Sequence, residues 1–532
     1  MKEELSRLIV QALQSLPSLQ SLVGTPAAPG EAAALQIERT RDPSHGDYSS
    51  NIALRLARIA GVPPRELAEA IARALPPSPL LAGVEVAGPG FLNFRITQAA
   101  QRSVVLQVLE AREHYGESRL GQGRRVLLEY VSANPTGPLH VGHGRQAAYG
   151  ATLASLLAAT GHEVQREYYI NDAGRQMDIL TVSTWMRYLE RCGEPVAFPS
   201  NGYRGDYVRD IAAQLYAQQG PALRRPAPAV LSELPADAPA GDKEQHIDAL
   251  IERMRTLLGG EAVQQVHQLS LSRMLTDIRS DLEEFGVQFD RWYSERELTD
   301  SGAVERAIET LRAAGHLYEK DGAVWFRASR FGDDEDRVLL RANGQPTYFA
   351  PDIAYHLQKC QRGFEHLIDV LGADHHGYVA RVRGALMAMG QPEDRLEACL
   401  IQFVSLFRNG EKIPMGKREA QFVTLRELRA EVGNDACRLF YLMRSHDQHL
   451  DFDLTLARSR SNENPVYYIQ YAHARVASVM KQLAARNLQF DAALAGEHLA
   501  LLRSEHEQGV ARELARYPEV VAQAASARAP HA

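Results

Sequence analysis

The sequence predicts an α/β protein: a parallel-sheet core with an α+β domain before it and an all-helical bundle after it. Three observations point there. Residues 125–170 read strand, tight turn, helix, strand, a βαβ unit that demands parallel pairing. Residues 84–96 read as two strands around a Gly-Pro-Gly turn. From about residue 420 onward the text is nearly all helical. The 532-residue length suits about three or four domains. With 45% apolar and 23% charged residues, disordered, collagenous and disulfide-scaffold classes are excluded.

Each element follows from its spacing. Leu5, Leu8, Ile9, Ala12, Leu13 and Leu16 recur at helical intervals, and Pro17 ends the run. With the 84–96 hairpin they predict a compact α+β domain over 1–115. Gly121-Gln-Gly-Arg-Arg125 is a short linker. Arg125–Val131 is a buried-strand run, Ser132–Pro138 a turn, Leu139–Ala159 a helix rich in small residues, and Glu163–Ile170 the next strand. Residues 221–242, rich in Pro and Ala, read as a flexible excursion inside an insertion. The sheet returns at Glu365–Leu371 and Leu400–Leu406.

Charge and cysteines bound the class of partner and compartment. The net charge is −7, yet residues 221–300 alone carry 9 basic and 15 acidic groups, which is −6 of it. The remainder is balanced, so the global figure does not exclude a nucleic-acid partner. Cys192, Cys360, Cys399 and Cys437 form no CxxC pair, arguing against a disulfide framework or a cysteine zinc site. No run of about 18 apolar residues exists, so no membrane span is expected. The first residues, MKEELSRLIVQALQSL, are charged and periodic rather than signal-like. A reducing, cytoplasmic setting is expected.

The first chemistry-bearing segment is Leu139-His-Val-Gly-His143. Three readings compete for its His-x-x-His pair: metal ligation, phosphate binding at a helix N-terminus, and incidental histidines. For the phosphate reading, free N–H groups and the helix dipole attract anions, and Gly142 lets a nucleotide approach closely. The second segment is Glu411–Leu425. Only seven lysines occur in the chain, and Lys412 and Lys417 both fall here.

The stretch Glu129-Tyr-Val-Ser-Ala-Asn-Pro-Thr-Gly-Pro-Leu-His-Val-Gly-His143 resembles the HIGH signature of class I aminoacyl-tRNA synthetases. Its Ser132–Gly137 lead-in is similar to the arginyl-tRNA synthetase family, bacterial type. Glu167–Gln176, Tyr348–Tyr355, Leu371–His376 and Asn464–Arg475 match in the same order. The resemblance implies a Rossmann-type parallel-sheet catalytic domain over 120–440 with an insertion at about 177–300. It also implies an N-terminal domain over 1–115 that contacts the tRNA elbow, and a helical anticodon-binding domain over 441–532. Family members usually continue for several more helices, so this last domain is expected to be cut short.

The implied activity is arginine–tRNA ligation: ATP converts arginine to arginyl-adenylate, which is then transferred to tRNA(Arg). Catalysis is assigned by resemblance to His140, Gly142, His143 and Lys417. Arginine contacts fall on Glu129, Ser132, Ala133, Asn134, His143, Tyr348, Asp352 and His375. ATP contacts fall on Pro138, His140, Gly142, His143, Asp374, His376, Met415 and Lys417. Glu129 and Asp352 supply the carboxylates that a planar guanidinium needs. Asp352 also suits a helix N-cap. Glu411–Leu425 corresponds to the family's KMSKS loop, with Pro414 and Gly416 in place of its first Lys and its Ser. ATP with Mg²⁺, no protein-bound metal and a monomeric state are the further expectations. The alternative is a catalytically silent RNA-binding paralogue. Tyr467, Tyr468 and Tyr471 are each expected in a packed core.

Overall fold

The computed structural model describes residues 1–17, 36–414 and 423–532. By internal contact they form two compact units, one of residues 1–116 with 483–519, the other of residues 117–482 with 520–532. The last helical stretch is thus shared between both units.

In the first unit, β1 (Ile37–Arg39), β2 (Tyr48–Ser50), β3 (Leu81–Ala87) and β4 (Phe91–Ile96) form an antiparallel sheet in the order β1-β2-β4-β3. The helix Lys2–Ser15 buries Leu5, Leu8, Ile9, Ala12 and Leu13, the stripe its spacing predicts. Glu519 ties the unit's two chain segments together, meeting Arg39 at 3.0 Å and Lys2 at 3.0 Å.

The second unit is built on a parallel sheet of β5 (Arg125–Tyr130), β6 (Glu163–Ile170), β7 (Arg291–Ser294), β11 (His366–Gly372) and β12 (Leu396–Ile401), ordered β12-β11-β5-β6-β7. The strand order reverses between β5 and β11, and in such sheets ligands bind outside the strand C-termini at that point. Leu127, Leu128 and Tyr130 of β5 are fully buried, as a strand covered on both faces requires. The helix Val141–Ala159 packs down on β5 through Gly150, where a Cβ would lie 2.3 Å from the Tyr130 ring. Between β7 and β11, β8 (Leu317–Lys320), β9 (Ala323–Phe326) and β10 (Arg337–Leu340) form a small antiparallel sheet.

Four sequence expectations change. The strand predicted at 400–406 is two strands, β12 and β13 (Val404–Arg408), broken at Gln402 and Phe403. β13 pairs with β14 (Glu411–Lys412) and with β15 (Leu450–Asp453), a strand within the supposedly helical end. Residues 221–242 are not a loose excursion: Leu223, Ala227 and Val230 are buried in the insertion's own core, and Arg224 pairs with Glu194 at 2.6 Å. The prolines there turn the chain while the residues between them anchor it. Tyr468 and Tyr471 are exposed rather than packed, because the helix Pro465–Ala485 that carries them buries only Val466 among its residues. No helix among the described residues is long and apolar enough to cross a membrane.

Candidate active site

β5 ends in an unusual turn. Val131 (φ 69°) and Ser132 (φ 38°) both adopt left-handed backbone, which costs a β-branched residue most. The turn carries the Ser132 hydroxyl back toward the strand. It donates to Glu129 Oε1 at 2.9 Å and accepts from the Tyr169 N–H at 3.1 Å. The Tyr168 hydroxyl donates to the Ala133 carbonyl at 2.9 Å, and Asn134 Nδ2 donates to Gln176 Oε1 at 2.9 Å. β5 and β6 therefore hold Glu129, Ser132, Ala133 and Asn134 at one edge of the crevice.

The two histidines cap the helix Val141–Ala159. His140 Nδ1 accepts from the Gly142 N–H at 3.1 Å, and His143 Nδ1 accepts from the His140 N–H at 3.2 Å. Their rings stack with centroids 3.7 Å apart. With both Nδ1 atoms accepting, the ring proton resides on Nε2, a donor suited to phosphate oxygen. This favours the phosphate reading over metal ligation. Among the described residues, no three His, Cys, Asp or Glu side chains are grouped to hold a metal ion.

The last residues of the KMSKS-like segment are stitched to this helix start. The Leu425 N–H donates to the Leu139 carbonyl at 2.8 Å, and His140 pairs with Thr424 in an antiparallel bridge. Lys412 and Pro414 are exposed. Met415, Gly416 and Lys417 lie outside the described residues, as does the side chain of His376. Asp374 and His375 are exposed in the one-turn helix Ala373–His375 that follows β11.

Asp352 is not an N-cap. Tyr348 takes that position for the helix Phe349–Gln361, placing Asp352 in its first turn. Burial pushes the Asp352 carboxyl up to about 7, and the neighbouring Glu295 and Glu129 add to this against His356 and the Tyr378 hydroxyl. Tyr348 is 75% exposed.

Sequence reasoning missed Glu295, Lys359, Asp369 and His356. Glu295 follows β7 directly, and its Oε2 is buried without a hydrogen-bond partner among the described residues. Burial, with Asp172 adding to it, pushes its carboxyl up. Glu295 and Glu129 both act electrostatically on Asp352, so the three carboxyls form one coupled acidic group; Lys359 pairs with Glu129, and a bound guanidinium would stabilise the ionised forms of Asp352 and Glu295. Position at the C-terminal end of a parallel strand was the one signal that could have flagged Glu295.

Comparison with known proteins covers the whole chain. Residues 3–96 match the arginyl tRNA synthetase N terminal domain, residues 104–195 the catalytic domain of tRNA synthetases class I (R), and residues 469–532 the DALR anticodon binding domain. An arginine–tRNA ligase of Thioalkalivibrio sulfidiphilus is 55% identical over 100% of this chain and 90% of its own length. One of Halorhodospira halophila is 52% identical with the same coverage. The solved Thermus thermophilus arginyl-tRNA synthetase shares the fold, with a TM-score of 0.70 at 22% identity, covering 100% of this chain and 89% of that one.

Proposed function

The chain belongs to the arginyl-tRNA synthetase family, and we infer from this its residue-level mechanism as an arginine–tRNA ligase. An arginine carboxylate oxygen attacks the α-phosphorus of ATP, and pyrophosphate leaves. A hydroxyl of the tRNA's terminal ribose then attacks the activated carbonyl, and AMP leaves. No side chain becomes covalent, so rate comes from positioning and charge stabilisation.

Glu129 and Asp352 take the guanidinium, with Tyr348 closing over it and Ser132, Ala133, Asn134 and His375 around the amino-acid end. His140 and His143 donate from Nε2 to the phosphates. Gly142 and Pro138 leave room for ATP, Asp374 and His376 line its adenosine, and Met415 and Lys417 complete the triphosphate site. Mg²⁺ enters with ATP as part of the substrate. Residues 1–115 contact the tRNA elbow and residues 441–532 carry the anticodon module. The enzyme acts in the cytoplasm as a monomer.

The observation that carries this reading is the buried Asp352 carboxyl, acted on by Glu295 and Glu129, together with the stacked histidines that cap the helix Val141–Ala159. Arginine-dependent ATP–pyrophosphate exchange, run with and without tRNA(Arg), tests it. Exchange is expected only when tRNA is present. Absence of exchange in both arms would favour a silent RNA-binding paralogue.

A further inference from the structure

Lys359 is fully buried, an expensive place for an ammonium unless it is paired. It donates to Glu129 Oε2 at 2.6 Å and to Asp369 Oδ1 at 3.0 Å, and its Nζ lies 4.2 Å from the Tyr355 ring centroid. Burial works to lower its pKa, but Asp369, Glu129 and Glu167 outweigh burial and raise it. The lysine stays charged.

The two carboxylates it bridges are held differently. Asp369 is saturated: His356 Nε2 meets its second oxygen at 2.7 Å, while His356 Nδ1 meets the Asp352 carbonyl at 2.7 Å. Both histidine nitrogens therefore face oxygen atoms that hold the ring in place. Burial would push the Asp369 carboxyl up, but Lys359 and His356 hold it well below the usual carboxylate range. Glu129 instead has one oxygen fixed by Lys359 and, among the described residues, the other bonded by the Ser132 hydroxyl alone. A carboxylate oxygen accepts more than one hydrogen bond, so Oε1 retains acceptor capacity.

We infer that Lys359 is a positioning residue for arginine recognition: from behind the pocket it fixes the Glu129 carboxylate so that Oε1 is presented to the guanidinium. This rests on the reading that Glu129 binds the guanidinium. Neutral methionine fills a lysine-shaped space without the charge.

The test measures arginine KM, ATP KM and kcat by tRNA-dependent pyrophosphate exchange. In Lys359→Met the arginine KM rises about tenfold or more while ATP KM and kcat stay within about threefold. Because the effect passes through Glu129, adding Lys359→Met to Glu129→Gln leaves the arginine KM no higher than in Glu129→Gln alone. An unchanged arginine KM in Lys359→Met overturns the inference, as does a parallel rise of both KM values with loss of kcat. If Lys359→Met does not fold, K359M/D369N removes one cation and one anion together. Its reference is Asp369→Asn, which keeps the Lys359–Glu129 pair; equal arginine KM values in these two also overturn the inference. An unchanged arginine KM in Glu129→Gln defeats instead the assignment of Glu129 to the guanidinium. A rise there, with none in Lys359→Met, defeats the role of Lys359 alone.

Discussion

At the residue scale, Asp352 carries the sharpest consequences. Its carboxyl, raised to about 7, must be ionised to pair with a guanidinium. In the proposed pocket, arginine binding releases a proton, and arginine KM is expected to fall as pH rises from about 6 to 8. The same shift opposes folding. A carboxyl whose folded pKa lies above its unfolded value binds more protons when folded between those two values, so the ligand-free protein loses stability as pH climbs through that window. Asp352→Asn should raise arginine KM on the order of 100-fold. It should also raise the Tm of the ligand-free enzyme at pH 8, as scanning calorimetry would register. Affinity that survived the substitution would remove Asp352 from the pocket. Asp352 was legible because Tyr348–Tyr355 resembles a known run. Glu295 and Lys359 were not, because one charged side chain on a strand end or a helix face carries no local pattern; only the fold brings it to the others.

At the element scale, the helix Val141–Ala159 was readable from small residues at helical spacing, and the structure explains their smallness. Gly150 has no room for a Cβ against Tyr130, and at Gly144 a Cβ would lie 2.7 Å from both Leu425 and Tyr441. Gly150→Ala should therefore destabilise the fold by about 1–3 kcal/mol in urea unfolding. The helix Leu425–Val432 begins with a reciprocal capping box, in which Thr424 Oγ1 accepts from the Glu427 N–H at 3.1 Å and Glu427 accepts from the Thr424 N–H at 2.8 Å. Thr424→Ala should cost about 1 kcal/mol in the same assay. Elements defined by periodicity were foreseen well, as in Lys2–Ser15 and β6. Those defined by pairing at long range were not: β15 reads as part of a helical stretch, and its partner β13 precedes it by more than a helix pair.

At the scale of the whole molecule, the −7 charge is concentrated in the insertion, so the rest of the surface is free to sort its charge by face. Contact with tRNA phosphates should make tRNA KM rise steeply with salt between about 50 and 200 mM, while arginine KM, set in a partly buried crevice, changes little. The order of domains was legible because each carries its own run of motifs; the division of the helical end between two compact units was not, since it depends on which surfaces those helices meet. In the proposed mechanism, paired carboxylates read a positive charge before ATP is cleaved. The most direct test compares arginine with citrulline, its neutral near-isostere, in tRNA-dependent pyrophosphate exchange. A site built for hydrogen-bonded charge should prefer arginine by a factor on the order of 10⁴ in kcat/KM. Comparable exchange with citrulline would contradict the account.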